Sequence, residues 1–449
     1  MIIESRNERQ KYRPVTRENV QKHPIWSRLT PDLKEAVQVV SAVLPFRSNA
    51  YVIDELIDWD RVPDDPMYQL TFPQRGMLTP EQYDEIAPLV LGGASKQDVR
   101  EAANRIRLDL SPHPAGQLTH NLPYLDGKPL EGMQHKYRET VLFFPSQGQT
   151  CHAYCTFCFR WAQFVGMEDL KFASREVDKL IAYLKEHEEV TDVLFTGGDP
   201  MVMKAANLAA YIEPLLTPEL GHIRNIRIGT KSVGYWPQRF VSDPDSDDVL
   251  RLFEKVVASG RHLALMGHYN HPVELSTPVS REAVRRIRGT GANVRMQSPV
   301  IRHVNDDSDT WAELWRTGVT LGAIPYYMFV QRDTGARHYF EIPLVEVWEI
   351  YRSAYNQVSG LGRNVRGPSM SAFPGKVRIL GVSNINEEPV FILEYLQARQ
   401  RELVRIPFFA RYDANATWFD HLEPLTENDR PFFEERPKQA LADLLDLTA

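Results

Sequence analysis

The feature that most constrains the fold of this chain is a series of six short apolar segments, each followed by a stretch with helical periodicity. The apolar segments are TVLFFP from residue 140, TDVLFTGG from 191, IRNIRIGTK from 223, HLALMGH from 262, ANVRMQSPV from 292 and IPYYMFV from 324. Amphipathic stretches such as REVDKLIAYLKEHEE and SREAVRRIRGTG lie between them. Six strand-then-helix units favour parallel strands joined by right-handed crossovers. We therefore predict an α/β fold with an open or partial barrel.

The sequence on either side of this pattern has a different character. The first 110 residues carry many prolines and charges, and helix-like stretches such as LTPDLKEAVQVVSAVL and LTPEQYDEIAPLVLGG alternate with turns. We predict a helical N-terminal extension over residues 1–110 and the barrel over residues 111–365. Residues 366–449 should form a C-terminal segment, a tail able to cover one mouth of the barrel.

Composition and charge narrow the possible partners. The 449 residues are 43% hydrophobic and 25% charged, which suits a globular chain with a large core. With 52 Lys and Arg against 59 Asp and Glu, the net charge is −7 and no long basic block occurs, so we expect neither a nucleic acid nor a membrane as partner. No apolar stretch reaches the length of a membrane span, and the first residues lack the apolar core of a signal peptide. We expect a cytoplasmic protein that acts on a small molecule.

The three cysteines of the chain, Cys151, Cys155 and Cys158, all lie in one short segment, QTCHAYCTFCFRW. A clustered, odd set argues against disulfides and for metal ligation or redox chemistry. The Cys-x3-Cys-x2-Cys spacing offers three thiolates on one loop, which suits a 4Fe-4S cluster whose fourth iron keeps an open coordination site. The alternative is a structural zinc site with His152 as the fourth ligand.

Polar and special residues follow each predicted strand. In barrels of this kind the active site is built from the loops at the carboxyl ends of the strands, so we expect these residues to surround one site. They are Gly197, Gly198 and Asp199 after the second strand, Thr230 and Lys231 after the third, His268 and His271 after the fourth, Gln297 and Ser298 at the end of the fifth, and Arg332 after the sixth.

The cysteine spacing after a first β/α strand resembles the signature of the radical S-adenosylmethionine (SAM) enzymes. Further segments, namely CTFCFR, VLFTGGDPMVM, IRIGTKS, HYNHPVE, MQSPVIRHVND, PYYMF and PGK, resemble in order those of lysine 2,3-aminomutase and its relatives, over about residues 110–382. The resemblance implies a partial (β/α)6 radical SAM barrel in which the three cysteines hold a 4Fe-4S cluster. It also implies that S-adenosyl-L-methionine chelates the fourth iron, and that an electron donor of the flavodoxin or ferredoxin type drives its cleavage to a 5′-deoxyadenosyl radical.

The resemblance also assigns residues to S-adenosylmethionine. Gly197, Gly198 and Asp199 match the segment that contacts its amino group, and Lys231 and Gln297 are further candidates for the same cosubstrate. Without the resemblance, the two glycines would equally suit an ordinary tight turn between a strand and a helix.

A second cofactor, pyridoxal 5′-phosphate, is implied by Lys376 in FPGKVRI, which matches the family's Schiff-base lysine. Arg160 matches the arginine that binds the phosphate of this cofactor, a role for which the planar guanidinium is suited because it donates to phosphate oxygens in pairs. The glycine-rich run before the lysine is reduced here to Pro374 and Gly375. Taken without the family, Lys376 would be interpreted as a solvated surface lysine.

The chain departs from the lysine-specific members where they bind the distant ammonium of the substrate. Those members use two aspartates; the first falls here at Arg332 or, with a one-residue gap, at Asp333, and the second falls at residues 369–371, which include no carboxylate. The C-terminal zinc-binding cysteines of the lysine enzymes are absent as well. An arginine would repel an ammonium and attract a carboxylate. We therefore predict a 2,3-aminomutase of an acidic amino acid such as glutamate, with Lys376 and Arg332 as its catalytic residues.

Three alternatives stay open. If Asp333 rather than Arg332 faces the pocket, the chain is a lysine 2,3-aminomutase. It could also be a radical SAM isomerase, epimerase or dehydratase that uses no pyridoxal phosphate, or a non-catalytic iron–sulfur sensor. We further expect a homo-oligomer.

Two other patterns imitate metal sites. The carboxylates of Asp243, Asp245, Asp247 and Glu254 have calcium-loop spacing, but Asp248 stands where such a loop needs glycine, so we predict a solvated helix start. His268 and His271 are expected to be polar or cofactor contacts rather than metal ligands, because no suitable third ligand is nearby in the sequence.

Overall fold

The computed structural model describes residues 11–111, 120–166 and 172–434. Its N-terminal part is largely helical, as predicted. Its elements are β1 (Pro14–Thr16), α1 (Pro31–Val43), β2 (Arg47–Asn49), α2 (Pro66–Thr71), α3 (Pro80–Leu91) and α4 (Lys96–Asp109). Helices α1 and α3 cover the two helix-like stretches of the sequence. Each begins with a proline directly after a threonine, Thr30 or Thr79, whose hydroxyl accepts a hydrogen bond from a backbone N–H of the first turn.

The central part alternates strands and helices along the chain. Its elements are β3 (Tyr124–Leu125), β4 (Lys128–Pro129), β5 (Met133–Tyr137), β6 (Thr140–Phe143), α5 (Val177–Glu186), β7 (Asp192–Phe195), α6 (Ala205–Ile212), β8 (Asn225–Thr230), α7 (Ser232–Tyr235), α8 (Ser246–Ala258), β9 (His262–His268), α9 (Pro278–Gly289), β10 (Asn293–Val300), α10 (Ser308–Leu321), β11 (Ile324–Val330), α11 (Arg337–Phe340) and α12 (Leu344–Asn356). The six predicted strands are β6 to β11.

Strands β5 to β11 lie side by side in sequence order, and every pair from β6 to β11 is parallel. This arrangement confirms the predicted partial (β/α)6 barrel; the described strands do not close into a ring. The core lies between the sheet and its crossover helices. Val193, Phe195, Ile226 and Ile228 on neighbouring strands are fully buried, while the residues between them are partly exposed. The opposite faces of the strands are therefore left to line an interior space.

The C-terminal segment adds four strands to the same sheet, an extension that the sequence analysis did not identify. These strands are β12 (Arg366–Ser371), β13 (Gly375–Ile385), β14 (Glu388–Ala398) and β15 (Pro407–Arg411). Strand β12 is parallel to β11, whereas β13, β14 and β15 follow as antiparallel neighbours. From Gly375 to Ile379 buried residues alternate with partly exposed ones, which suits a sheet with one buried face.

The acidic segment before α8 forms a helix start, as predicted. Asp245 precedes the first residue of α8, forms an ion pair with Arg239 at 2.7 Å, and accepts a hydrogen bond from the backbone N–H of Ala205 at 2.7 Å. Nowhere in the described ranges does a helix combine the length and the apolar character that crossing a membrane requires.

Candidate active site

A cavity of about 610 Å³ runs along the parallel strands and reaches the carboxyl ends of all six. The structure brings most of the predicted site residues to its wall. Those residues are Cys151, Cys155, Cys158, Arg160, Gly197, Gly198, Thr230, Lys231, His268, Gln297, Arg332 and Lys376. Asp199, His271 and Ser298 lie outside the lining. The His271 Nδ1 accepts a hydrogen bond from the backbone N–H of Val273 at 3.3 Å.

The cysteine loop follows β6 and is held from outside by the N-terminal extension. Arg47 donates through Nη1 to Thr150 Oγ1 at 2.8 Å, and its backbone carbonyl accepts from the N–H of Tyr154 at 2.8 Å. Further along the loop, the N–H of Thr156 donates to the carbonyl of Leu70 at 2.9 Å. The loop therefore receives its shape from a part of the chain that lies about 100 residues away.

The three thiols are directed into a buried environment. Burial raises the pKa of Cys158 to about 12 and raises the pKa values of Cys151 and Cys155 as well. Metal ligation requires thiolates, so binding of a cation would release protons from these residues. In the described part of the chain, no three His, Cys, Asp or Glu side chains converge on a single-ion site. His152 does not line the cavity that the three cysteines reach, which argues against the Cys3His zinc site; its Nδ1 is bonded to Ser232 Oγ at 2.8 Å.

Gly197 and Gly198 let the loop after β7 approach the cysteine loop. Gly197 has a φ of +136°, and a Cβ there would collide with the side chain of Gln149. A Cβ on Gly198 would lie 2.5 Å from the backbone nitrogen of Thr150. The absence of side chains is thus required for packing between two loops of the cavity wall, independently of any ligand.

Replacing Gly198 with alanine should destabilise the protein by ~1–3 kcal/mol, because the added methyl group meets backbone rather than a movable side chain. The free energy of unfolding in urea measures the effect. Gly289→Ala is the matched control, since a Cβ there has nothing within 4 Å and alanine favours the helix end. A Gly198→Ala protein as stable as the wild type would contradict this account.

Asp199 is 1% exposed, and its carboxylate is fully engaged with the protein. Its Oδ2 accepts hydrogen bonds from Thr230 Oγ1 at 2.9 Å, from the backbone N–H of Lys231 at 2.8 Å, and from both the N–H and the hydroxyl of Ser232 at 2.9 Å. These bonds join the loops after β7 and β8. The Asp199 carboxylate is therefore directed away from the cavity, and the contact with the cosubstrate that the resemblance implies stays a prediction.

Lys231 lines the cavity, but its ammonium is bonded to other side chains of the protein. Its ammonium forms a buried ion pair with Glu274, and it donates to Asn270 Oδ1 at 3.0 Å. His268, at the end of the next strand, has its pKa lowered to about 3 by burial, with Lys231 adding to the effect, so the imidazole is neutral near pH 7. Gln297 is paired in register with His268 and also lies on the wall.

Lys376 stands on β13, next to Ser371 of β12, with its side chain in the cavity. Its ammonium is 4.3 Å from the ring centroid of Tyr327 and 5.7 Å from that of Phe329. Gly375 precedes it at a place where a Cβ would lie 2.9 Å from Ala398 Cα, so glycine is needed for β13 and β14 to pair there. Lys376 is an interior side chain and not the solvated surface lysine of the alternative interpretation.

Arg160 is 7% exposed, and its guanidinium lies 3.9 Å from the ring centroid of Phe144. Burial, with a smaller contribution from the nearby Arg332, lowers its pKa to about 9. In the described residues no carboxylate forms an ion pair with it, and it lines the cavity. A buried guanidinium in this situation is suited to bind an anion from outside the chain.

Arg332 lines the cavity, and its neighbour Asp333 does not. The Nε of Arg332 is 3.7 Å from Asp333 Oδ1, and its guanidinium lies 5.5 Å from the ring centroid of Phe159 and 5.6 Å from that of Trp418. Arg337, which the sequence placed five residues further along, is outside the cavity; it starts α11 and pairs with Glu341 at 3.4 Å.

The sequence analysis missed Lys136, a cation of the same wall. Its ammonium donates to the carbonyl of Ala372 at 2.5 Å. Burial lowers its pKa well below the usual value, and Arg399, Arg332 and Lys376 add to that effect. Strand β5 precedes the six recognised units, so no local signal connected this lysine with the site. Lys136 could be connected with the site only once the order of the strands in the sheet was known.

The chain is similar in sequence to several known proteins. The chain is 31% identical over 388 residues to "Putative L-lysine 2,3-aminomutase" of Aquifex aeolicus (strain VF5), an alignment that covers 86% of this chain and 90% of that protein. It is 29% identical over 264 residues to L-lysine 2,3-aminomutase of Acetoanaerobium sticklandii and 30% identical over 233 residues to that of Clostridium subterminale, and these alignments cover 59% and 52% of the two relatives. No family model matches the chain.

Among solved structures, a radical SAM methyltransferase from Sphaerobacter thermophilus matches 52% of this chain and 68% of its own, with a TM-score of 0.36 and 16% identity. Streptococcus suis SuiB matches 64% of this chain and 59% of its own, with a TM-score of 0.36 and 11% identity.

Proposed function

This chain belongs to the lysine 2,3-aminomutase family of radical SAM enzymes, and we propose that it moves the α-amino group of an acidic amino acid to the β carbon. We infer the substrate class from one observation: Arg332 lines the cavity wall, and Asp333 does not.

The residues on the wall fit a 4Fe-4S cluster and S-adenosylmethionine. Cys151, Cys155 and Cys158 reach one cavity from one loop without converging on a single-ion site, as expected of ligands that each bind a different iron. We propose that Gly197 and Gly198 present their backbone to the cosubstrate beside this loop. Lys231 and Gln297 are proposed to contact it from the ends of the next strands.

The residues also fit pyridoxal phosphate, with Lys376 as its covalent partner and Arg160 as a phosphate ligand. Arg160 is buried without a carboxylate partner in the described residues, which makes a cofactor phosphate a suitable counter-ion. When bound, the three groups together supply a radical that removes a hydrogen atom and a π-system that carries the migrating nitrogen. The protein's own residues would hold these groups side by side in one cavity.

The charge of the wall supports an acidic substrate. Lys136, Arg160, Arg332 and Lys376 all line the cavity, whereas the carboxylate that lines it, Asp192, is already paired with Arg227 at 2.8 Å. A substrate ammonium placed near Arg332 would meet like charges in a buried environment, at a cost of several kcal/mol. A side-chain carboxylate would offset those charges. We propose that Arg332 binds the distal carboxylate, with the buried Lys136 as a further hydrogen-bond donor.

Lysine is the second candidate, because the curated relatives are named L-lysine 2,3-aminomutases. It would require Asp333 to replace Arg332 on the wall. We also propose a flavodoxin- or ferredoxin-type electron donor, which reconstitution with either donor can test. We further propose a homo-oligomeric state, which size-exclusion chromatography can test, and a cytoplasmic location.

Labelled glutamate and lysine, assayed side by side with the reconstituted enzyme under reducing conditions, test the substrate class. We expect glutamate to be converted to its β-amino isomer and lysine to be left unchanged. Arg332→Ala should raise KM for glutamate roughly 10- to 150-fold, from the ~1.5–3 kcal/mol of a charge-assisted hydrogen bond. Arg337→Ala, outside the cavity, is the matched control. Conversion of lysine to β-lysine with no turnover of any acidic amino acid would refute the assignment.

A further inference from the structure

The phenol of Tyr235 lies against one of the three cysteines. The Cys155 Sγ is 3.5 Å from the phenol oxygen, within hydrogen-bond distance for sulfur, and Tyr235 is 1% exposed. A cysteine that binds iron does so as a thiolate and has no proton to donate. In the loaded protein the hydrogen bond therefore requires the phenol as the donor and the sulfur as the acceptor.

The position of Tyr235 is set by two independent anchors. Its helix, α7, begins at Ser232, whose N–H and hydroxyl both donate to Asp199. At the other end, the Asn49 Nδ2 donates to the carbonyl of Tyr235 at 3.1 Å and to the carbonyl of His152 at 3.1 Å. Because His152 belongs to the cysteine loop, Asn49 ties that loop to α7. The phenol is thereby held at a fixed distance from Cys155.

A buried cation lies against the ring of Tyr235. The Lys231 ammonium lies 4.4 Å from the ring centroid, and it is held there by Glu274, which is fully buried, and by Asn270. Gly234 allows this approach, since a Cβ there would lie 2.5 Å from Glu274 Oε1. A cation against the ring withdraws electron density from it and makes the hydroxyl a stronger donor.

We propose that Tyr235 is a positioning residue that tunes the cluster, by donating a hydrogen bond from its hydroxyl to the Cys155 thiolate. Hydrogen bonds to cluster sulfurs set the reduction potential. The donated bond favours the state with one more electron, so it raises the potential of the one-electron reduction and makes delivery of that electron easier. The inference rests on the proposed function only in requiring that the three cysteines hold the cluster.

The test is a redox titration of the anaerobically reconstituted full-length chain, followed by electron paramagnetic resonance of the reduced cluster. Tyr235→Phe should retain the wild-type content of iron and sulfide and show a midpoint potential shifted to more negative values. Tyr51→Phe is the matched control, because it removes another buried hydroxyl, bonded to Thr277 Oγ1 at 2.8 Å and not to a cysteine. Its potential should equal that of the wild type.

A second variant keeps the inference testable if Tyr235→Phe loses its iron. Incorporation of 3-fluorotyrosine at position 235 preserves the size of the ring and the hydroxyl and makes that hydroxyl a stronger donor, so the potential should shift to more positive values. If Tyr235→Phe keeps its cluster and its potential is unchanged, this inference alone is overturned. If Tyr235→Phe loses its iron, an unchanged potential in the fluorinated protein overturns it in the same way. A wild-type chain that takes up no iron overturns the proposed function together with it.

Discussion

Replacing any one of Cys151, Cys155 and Cys158 with alanine should reduce the cleavage of S-adenosylmethionine to below detection. The chain has three cysteines in all, so no other thiolate can take the place of a lost ligand. A cluster that must keep one iron open for the cosubstrate cannot also lose one of its three protein ligands. Release of 5′-deoxyadenosine in the presence of dithionite, together with the iron content, measures the effect.

These variants should remain folded, because the loop that carries the cysteines is anchored by residues other than the cysteines. Arg47, Leu70 and Asn49 hold its backbone from the N-terminal extension. Far-ultraviolet circular dichroism should therefore match that of the wild type. Thr156→Ala, in the same loop, is the control: its hydroxyl donates to the carbonyl of Gln69 at 2.7 Å, and its removal should leave the cluster in place. A triple-alanine protein that still releases 5′-deoxyadenosine would show that the cluster assignment is wrong.

Lys376→Ala should abolish amino group migration while leaving cleavage of S-adenosylmethionine measurable, because Lys376 is the proposed covalent partner of pyridoxal phosphate and the cysteines are untouched. Borohydride reduction of the cofactor-saturated wild type, followed by peptide mapping, should place a phosphopyridoxyl group on Lys376. Lys136 is the competitor within the cavity, because burial lowers its pKa and leaves its amine more reactive. A label on Lys136, or on neither lysine, would contradict the assignment.

The phosphate end of the same cofactor should depend on Arg160. Loss of one charge-assisted contact typically costs about 1.5–3 kcal/mol, so Arg160→Ala should weaken retention of pyridoxal phosphate tens of fold. Equilibrium binding followed by the absorbance of the cofactor measures this loss. Arg337→Ala removes an arginine that pairs with Glu341 outside the cavity, and it should bind the cofactor like the wild type. Equal retention by the two variants would remove Arg160 from the proposed site.

Much of the candidate site was predictable because its signals are local. Each of the strands β6 to β11 is a short apolar segment, and residues that reach the cavity lie within its end, such as Gln297, or in the loop after it, such as Gly197. The rule that parallel strands present their carboxyl ends to one site then brings these residues together without any knowledge of their contacts. The spacing of the cysteines needs no tertiary information either, since the three lie on one loop.

The residues that the sequence analysis missed lie far along the chain from the residues that they contact. Lys136 comes from a strand before the barrel, Tyr235 from a four-residue helix after β8, and Asn49 from the N-terminal extension. None of them stands in a pattern that differs from an ordinary surface or core residue. Their contacts with the cysteine loop and with the segment around Lys376 appear only when elements separated by about 80 residues or more pack together.

The sequence by itself determined the order of strands β6 to β11 and the helices between them, the three candidate ligands of one cluster and many of the side chains at one edge of the sheet, because periodicity and spacing are properties of neighbouring residues. The tertiary structure decided what those side chains do. Adjacent residues at the end of a strand point in different directions, so sequence alone could not choose between Arg332 and Asp333. Packing places Arg332 on the wall and turns the Asp199 carboxylate into the protein. The sign of the charge offered to a substrate is thus a property of the folded chain.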